Sequence, residues 1–152
     1  MADMVIISAL ANLVSRYTGV TAAMDAASLR WLREMELWSA APTDQIPVPG
    51  PDFWSAALWS TAISFGLFAA YRVIMLGLTS ATVGQLMVGV RTVKLDAAPD
   101  TKLDWGTAAI RGILGALFYS LFAFINGIFG AFTSRRQTLS DMASKTEVLK
   151  IR

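Results

Sequence analysis

Neither cysteine nor histidine occurs among the 152 residues. Without cysteine there is no disulfide framework, no thiolate nucleophile and no thiolate metal site, and the redox compartment leaves no mark on the sequence. Without histidine, the common zinc sites and every catalytic triad or dyad built on imidazole are excluded as well. Charge is scarce too, at 16% of residues, and two long stretches, 53 to 71 and 112 to 133, carry none. The remaining acids and hydroxyls form no recognisable catalytic constellation, so the sequence points to a protein that is not an enzyme and needs no cofactor or metal. The net charge of +2 is small, and the basic residues lie close to the ends of apolar runs. Membrane topology asks for that placement, so no nucleic-acid partner is expected.

What is abundant is apolar surface. Hydrophobic residues make up 55% of the chain and the mean hydropathy is +0.51, more than a soluble domain of this length can bury. The natural partner for the surplus is the lipid bilayer, which a helix crosses with roughly 20 apolar residues. Three apolar runs stand out, at about 4 to 14, 53 to 78 and 112 to 133. The first is about half a span. It does not read as a cleaved leader, because its only early charge is Asp3 where a basic region is required. The second is interrupted only by Arg72, near enough to its end for the guanidinium to snorkel to the headgroups, which is favoured over a buried ion pair.

The third run carries small residues at Gly112, Ala116, Ser120, Ala123, Gly127 and Ala131. Steps of four and three place them on one helical face, where a second helix can pack closely. Asn126 beside Gly127 is a polar group that needs a partner, or else a break in the helix.

Between the first two runs, residues 23 to 52 are net acidic and read as an outer loop. Their first part, about 22 to 38, spaces Leu29, Leu32, Met35 and Trp38 three apart, as in a short amphipathic helix on the membrane surface. Pro42, Pro47, Pro49 and Pro51 end it, and Phe53 and Trp54 follow as interfacial aromatics. Residues 79 to 111 and 134 to 152 are basic and read as inner segments.

If both basic segments are inner, the run between them cannot simply cross. Residues of about 88 to 95 and 146 to 151 alternate like short strands, which need partners. A two-stranded pairing of the two on the cytoplasmic side favours a third run that dips in and returns, breaking near Asn126 and Gly127. A plain third crossing stays open. Gly84 and Gly89 have the spacing of a phosphate-binding loop, but Val90 and Arg91 follow where Lys and Ser or Thr are needed. Thr101 with Asp104, and Thr138 with Asp141, have the spacing of capping boxes that start helices.

Several of these elements together carry a resemblance. Residues 81 to 93 (Ala-Thr-Val-Gly-Gln-Leu-Met-Val-Gly-Val-Arg-Thr-Val), 103 to 111 (Leu-Asp-Trp-Gly-Thr-Ala-Ala-Ile-Arg) and 135 to 141 (Arg-Arg-Gln-Thr-Leu-Ser-Asp), followed by Thr146, resemble the RDD family of bacterial membrane proteins. The resemblance is strong over about 65 to 152 and partial before that. It places Asp141 at the second family aspartate and Asp3 at the first. The family arginine that precedes the first aspartate has no counterpart before Met1, which suggests a start further upstream. Gln85 stands where the family has lysine, and Ser140 where it often has histidine.

The reading is therefore an all-α integral membrane protein with two to three membrane-inserted helices and a short strand pair, forming one domain over 1–152 in the bacterial inner membrane. Intramembrane charges are costly unless paired, so Asp3, Arg72, Arg91, Arg111 and Asp141 are the candidate functional cluster. The resemblance implies a component for transport of an ion or small solute, acting as a homo-oligomer or within a larger complex, since so few helices enclose no path alone. The alternative is an accessory or assembly subunit that docks through the small-residue face of the third run.

Overall fold

The computed structural model describes residues 2–98, 100–132 and 137–150, with side chains described outside 121–132. It is mostly helical and carries one small sheet. In chain order the elements are α1 (Ala2–Tyr17), α2 (Val20–Ala40), α3 (Pro51–Thr79), α4 (Val83–Met87), β1 (Val90–Lys94), α5 (Trp105–Phe132), α6 (Leu139–Ala143) and β2 (Thr146–Lys150). They divide into two compact units, one of Met1–Ile7 with Phe65–Arg152, the other of Ser8–Ser64. Among the described residues, α3 is long and apolar enough to cross a membrane. The pair α1 and α2 passes the same test jointly but is bent by 80°.

In the unit of Ser8–Ser64 the bend falls at Gly19, whose φ of +79° is the left-handed conformation that glycine adopts at little cost. The inward face of α2 differs from the one expected. Val20, Met24, Ala27, Trp31, Met35 and Trp38 turn inward, whereas Leu29 and Leu32 are 67% and 57% exposed. The reason is helical geometry: at about 100° per residue, a strict three-residue step drifts by about 60° each time, so Leu29 and Trp38 lie on opposite sides. Steps alternating between three and four stay on one face. The proline-rich turn is held by indole donors. Trp31 Nε1 donates to the Pro47 carbonyl (3.2 Å), Trp38 Nε1 to that of Thr43 (3.0 Å) and Trp54 Nε1 to that of Pro49 (3.1 Å). Phe53 packs against the rings of both Trp31 and Trp54.

In the other unit, α3 and α5 run antiparallel and meet where side chains are missing. A β-carbon at Gly112 would lie 2.7 Å from Val73 Cγ2 and 2.9 Å from Val73 N; one at Gly77 would collide with the Trp105 ring. Ile7, Phe68 and Ala116 form one buried apolar cluster, and Leu76, Leu103 and Ala108 a second. Ser80 ties these parts together. Its carbonyl accepts Thr92 N–H (2.8 Å) and its hydroxyl accepts Leu103 N–H (2.8 Å).

The expected strand pair is present: β1 and β2 are antiparallel, with Val90 opposite Lys150 and Lys94 opposite Thr146. Each strand follows a matching short helix. Thr82 and Gln85 form a capping box that opens α4, and Thr138 and Asp141 one that opens α6. Each helix gives way to its strand through a residue of positive φ, Gly89 (+68°) in the first and Lys145 (+50°) in the second. In this ladder Thr92 and Val148 form the central pair.

Two expectations are corrected here. The helix α5 runs without a break through Asn126 and Gly127 to Phe132, so the chain's return to β1 is not made by halving that helix. It also starts at Trp105, a full two turns before the charge-free run, because Asp104 is itself the N-cap. The Asp104 carboxylate accepts Thr107 N–H (3.0 Å) and the Thr107 hydroxyl (2.8 Å) and pairs with Lys94 Nζ (2.7 Å). Thr101 therefore does not cap α5; the signal was displaced by three residues.

Candidate functional site

The end of α5 that carries Arg111 packs against α6, and there a fully buried ion pair forms. Arg111 and Asp141 are each only 3% exposed, and Arg111 Nη1 bonds both the Asp141 carboxylate and the Thr146 hydroxyl. Local structure sets this geometry. As the third residue of α6, Asp141 turns back so that Oδ2 accepts Thr138 N–H (2.9 Å), which leaves Oδ1 directed at Arg111. A hydroxyl set closes around the pair: the Ser144 and Thr146 hydroxyls lie 2.9 Å apart, as do those of Thr138 and Ser140. Burying both ions is costly, and the attraction repays that cost only with such supporting bonds.

A second acid sits at the start of α1. Asp3 Oδ1 accepts the Tyr71 hydroxyl (2.5 Å) and Gly84 N–H (2.8 Å), and Oδ2 accepts the Thr82 hydroxyl (2.7 Å). Tyr71 in turn accepts Val83 N–H (3.1 Å). The carboxylate thus rests against the first turn of α4, where free backbone N–H groups favour negative charge. Gly84 is needed for this approach, since a β-carbon there would lie 2.8 Å from Asp3 Oδ2.

Between the two acids lies Arg72, partly buried on α3. Its guanidinium sits 5.5 Å from the centroid of the Phe68 ring and against Gly115 of α5. The expected snorkelling would carry the guanidinium toward the end of α3, whereas the side chain takes the other direction. Side chains on a helix point toward its N-terminus, so Arg72 is directed back over Phe68, into the helix, and away from the nearer end at Thr79. It feels the charges of Asp3 and Asp141, and Arg111 feels both Asp141 and Arg72. Four of the five candidates, Asp3, Arg72, Arg111 and Asp141, are therefore within electrostatic reach of at least one other member. Arg91 stands apart on β1 opposite Leu149, with no hydrogen bond or ion pair among the described residues.

The small-residue face divides. Gly112 and Ala116 are buried within the chain's own packing, Gly112 against the backbone of Val73 and Ala116 beside Ile7 and Phe68, while Ser120 is exposed. The side chains of Ala123, Gly127 and Ala131 lie outside the described residues. Tyr71, Thr82, Gly84, Gly115 and Thr146 complete the site and were not singled out as members of it. For Thr82 a signal existed, since Thr82 and Gln85 have capping-box spacing. No comparable signal marks Tyr71 or Gly115. Among the described residues, no group of three or more acidic side chains comes together to hold a metal ion.

No curated protein and no solved structure matches the chain. The model of the RDD family matches residues 1–145, reaching both aspartates, the buried arginine of α5 and the capped turns that hold them, and the chain belongs to that family.

Proposed function

We propose that this is a multi-pass protein of the bacterial inner membrane that takes part in transport of an ion or small solute along the line Asp3, Arg72, Asp141 and Arg111. The observation that carries the reading is the Arg111–Asp141 pair, two opposite charges each 3% exposed. Ionisable groups kept inside membrane helices are costly and concentrate on solute and proton paths. Two or three helices enclose no pathway by themselves, so the working form is an oligomer or part of a larger complex. Docking through the small-residue face as an accessory subunit draws less support, because Gly112 and Ala116 are already packed against α3 and its neighbours.

The test is charge movement in proteoliposomes, read with pH-sensitive and potential-sensitive dyes, for the wild type and Asp3→Asn. Asparagine removes the charge and keeps one oxygen to accept from Tyr71 and Gly84, while its NH2 group takes the place of Oδ2 beside the Thr82 hydroxyl. Flux falling about tenfold or more, with helicity unchanged, supports transport. Equal flux in the two proteins, or none in the wild type, removes it.

A further inference from the structure

The two acids in the line are supplied with donors, and the arginine between them is not. Asp3 accepts three hydrogen bonds, from Tyr71, Thr82 and Gly84, out of roughly four acceptor positions on a carboxylate. Asp141 Oδ2 accepts Thr138 N–H, and its Oδ1 is held by the ion pair with Arg111 without a hydrogen bond of its own. Arg72, with five N–H donors, makes no hydrogen bond or ion pair among the described residues. Its Nε is buried without a partner, and its one specific contact is the Phe68 ring. Arg111 Nε is also buried and unpartnered. Leaving buried donors unmade is expensive, so the free capacity of this site is cationic N–H.

A cation entering here would find most of the acceptor positions of Asp3 taken and Asp141 already paired with Arg111, whereas an anion needs donors that are free. We propose that Arg72 is the docking point for a phosphate group, with Arg111 as the second positive centre behind it. A guanidinium matches a phosphate through two parallel N–H bonds, and a phosphate carrying about 1.5 to 2 negative charges at pH 7 suits two neighbouring arginines. Gly115 makes the arrangement possible: a β-carbon there would lie 2.6 Å from Arg72 Nη2 and 2.8 Å from its Cζ, in the place the guanidinium occupies. This deepens the transport reading by naming the chemistry of the bound group. Binding can be measured whether or not flux is found.

The experiment measures equilibrium binding of radiolabelled inorganic phosphate to the full chain in detergent. Native mass spectrometry of the same samples counts retained phosphatidylglycerol. Arg72→Gln removes the charge; Gly115→Ala keeps it but displaces the guanidinium. The wild type is expected to bind one phosphate group, and both variants to bind at least about tenfold more weakly, the loss of one charge-assisted contact, with unchanged helicity. Free phosphate binding identifies a soluble phosphate-bearing solute. Phosphatidylglycerol that inorganic phosphate does not displace identifies a lipid headgroup, and either source supports the proposal. It is overturned if the wild type binds neither, or if Gly115→Ala and Arg72→Gln bind as the wild type does.

Discussion

Three glycines on α3 and α5 differ in what a methyl group would meet, and alanine substitution at each should separate packing from helix propensity. At Gly66 nothing lies within 4 Å of an added β-carbon, so the exchange brings only the propensity gain, about 1 kcal/mol. At Gly115 the neighbour is the Arg72 guanidinium, at 2.6 Å. It is the far end of a flexible side chain and can move, so the gain and the rearrangement roughly cancel. At Gly112 the neighbours are Val73 Cγ2 at 2.7 Å, N at 2.9 Å and Cα at 3.1 Å. Backbone cannot turn aside as a rotamer can, so α3 and α5 must separate locally. Overpacking of this kind costs about 1 to 3 kcal/mol, more than the propensity gain offsets, for a net loss of about 1 kcal/mol. The spread from Gly66→Ala to Gly112→Ala is then about 2 kcal/mol, readable as denaturant midpoints of detergent-solubilised protein followed by circular dichroism. Gly112→Ala at or above wild-type stability would refute the close α3–α5 approach.

The buried pair should show strong coupling. Arg111→Met or Asp141→Leu alone strands one buried charge and should cost about 3 to 5 kcal/mol. The double substitution should recover most of this, less about 1 kcal/mol for the lost bond to Thr138 N–H. A double-mutant cycle in the same unfolding assay measures the coupling, and simple additivity would argue against the pair. At the other end of the linker, the bond from Lys94, followed by the N–H and hydroxyl of Thr107, holds the Asp104 carboxyl well below the usual carboxylate range. Because the folded value is depressed, its contribution is complete above about pH 4 and is lost as pH falls through the lower folded value. Protection of the first turn of α5 against hydrogen exchange, taken relative to the intrinsic rate at each pH, should therefore fall below about pH 4, and at a higher pH in Lys94→Ala. Exchange in that turn with no such pH dependence would count against Asp104 as the cap.

Much of the frame can be read directly from residue order. The charge-free runs mark α3 and the body of α5, alternation marks β1 and β2, and Thr138 with Asp141 marks the start of α6. These signals are local: each depends on neighbours within one turn or one pleat, where helical and strand geometry tie spacing directly to a face. Arg111 was legible as a candidate because it opens an apolar run, and Asp141 because the resemblance to the RDD family places it at the second family aspartate.

What tertiary structure decided is where those side chains meet. Nothing in the spacing around Arg72 tells that its guanidinium turns back over Phe68 and rests on Gly115, some forty positions along the chain. The same holds for Tyr71 and Thr82 closing on Asp3, and for Thr146 reaching Arg111. The inward face of α2 and the capping role of Asp104 also depended on geometry that a strict three-residue spacing misplaces. Sequence determined which groups are costly to bury, because that cost belongs to the side chain itself. Only the antiparallel approach of α3 and α5, made possible where Gly112 and Gly115 lack side chains, decided that Arg111 meets an acid while Arg72 rests on Phe68 and Gly115 with its Nε unpartnered.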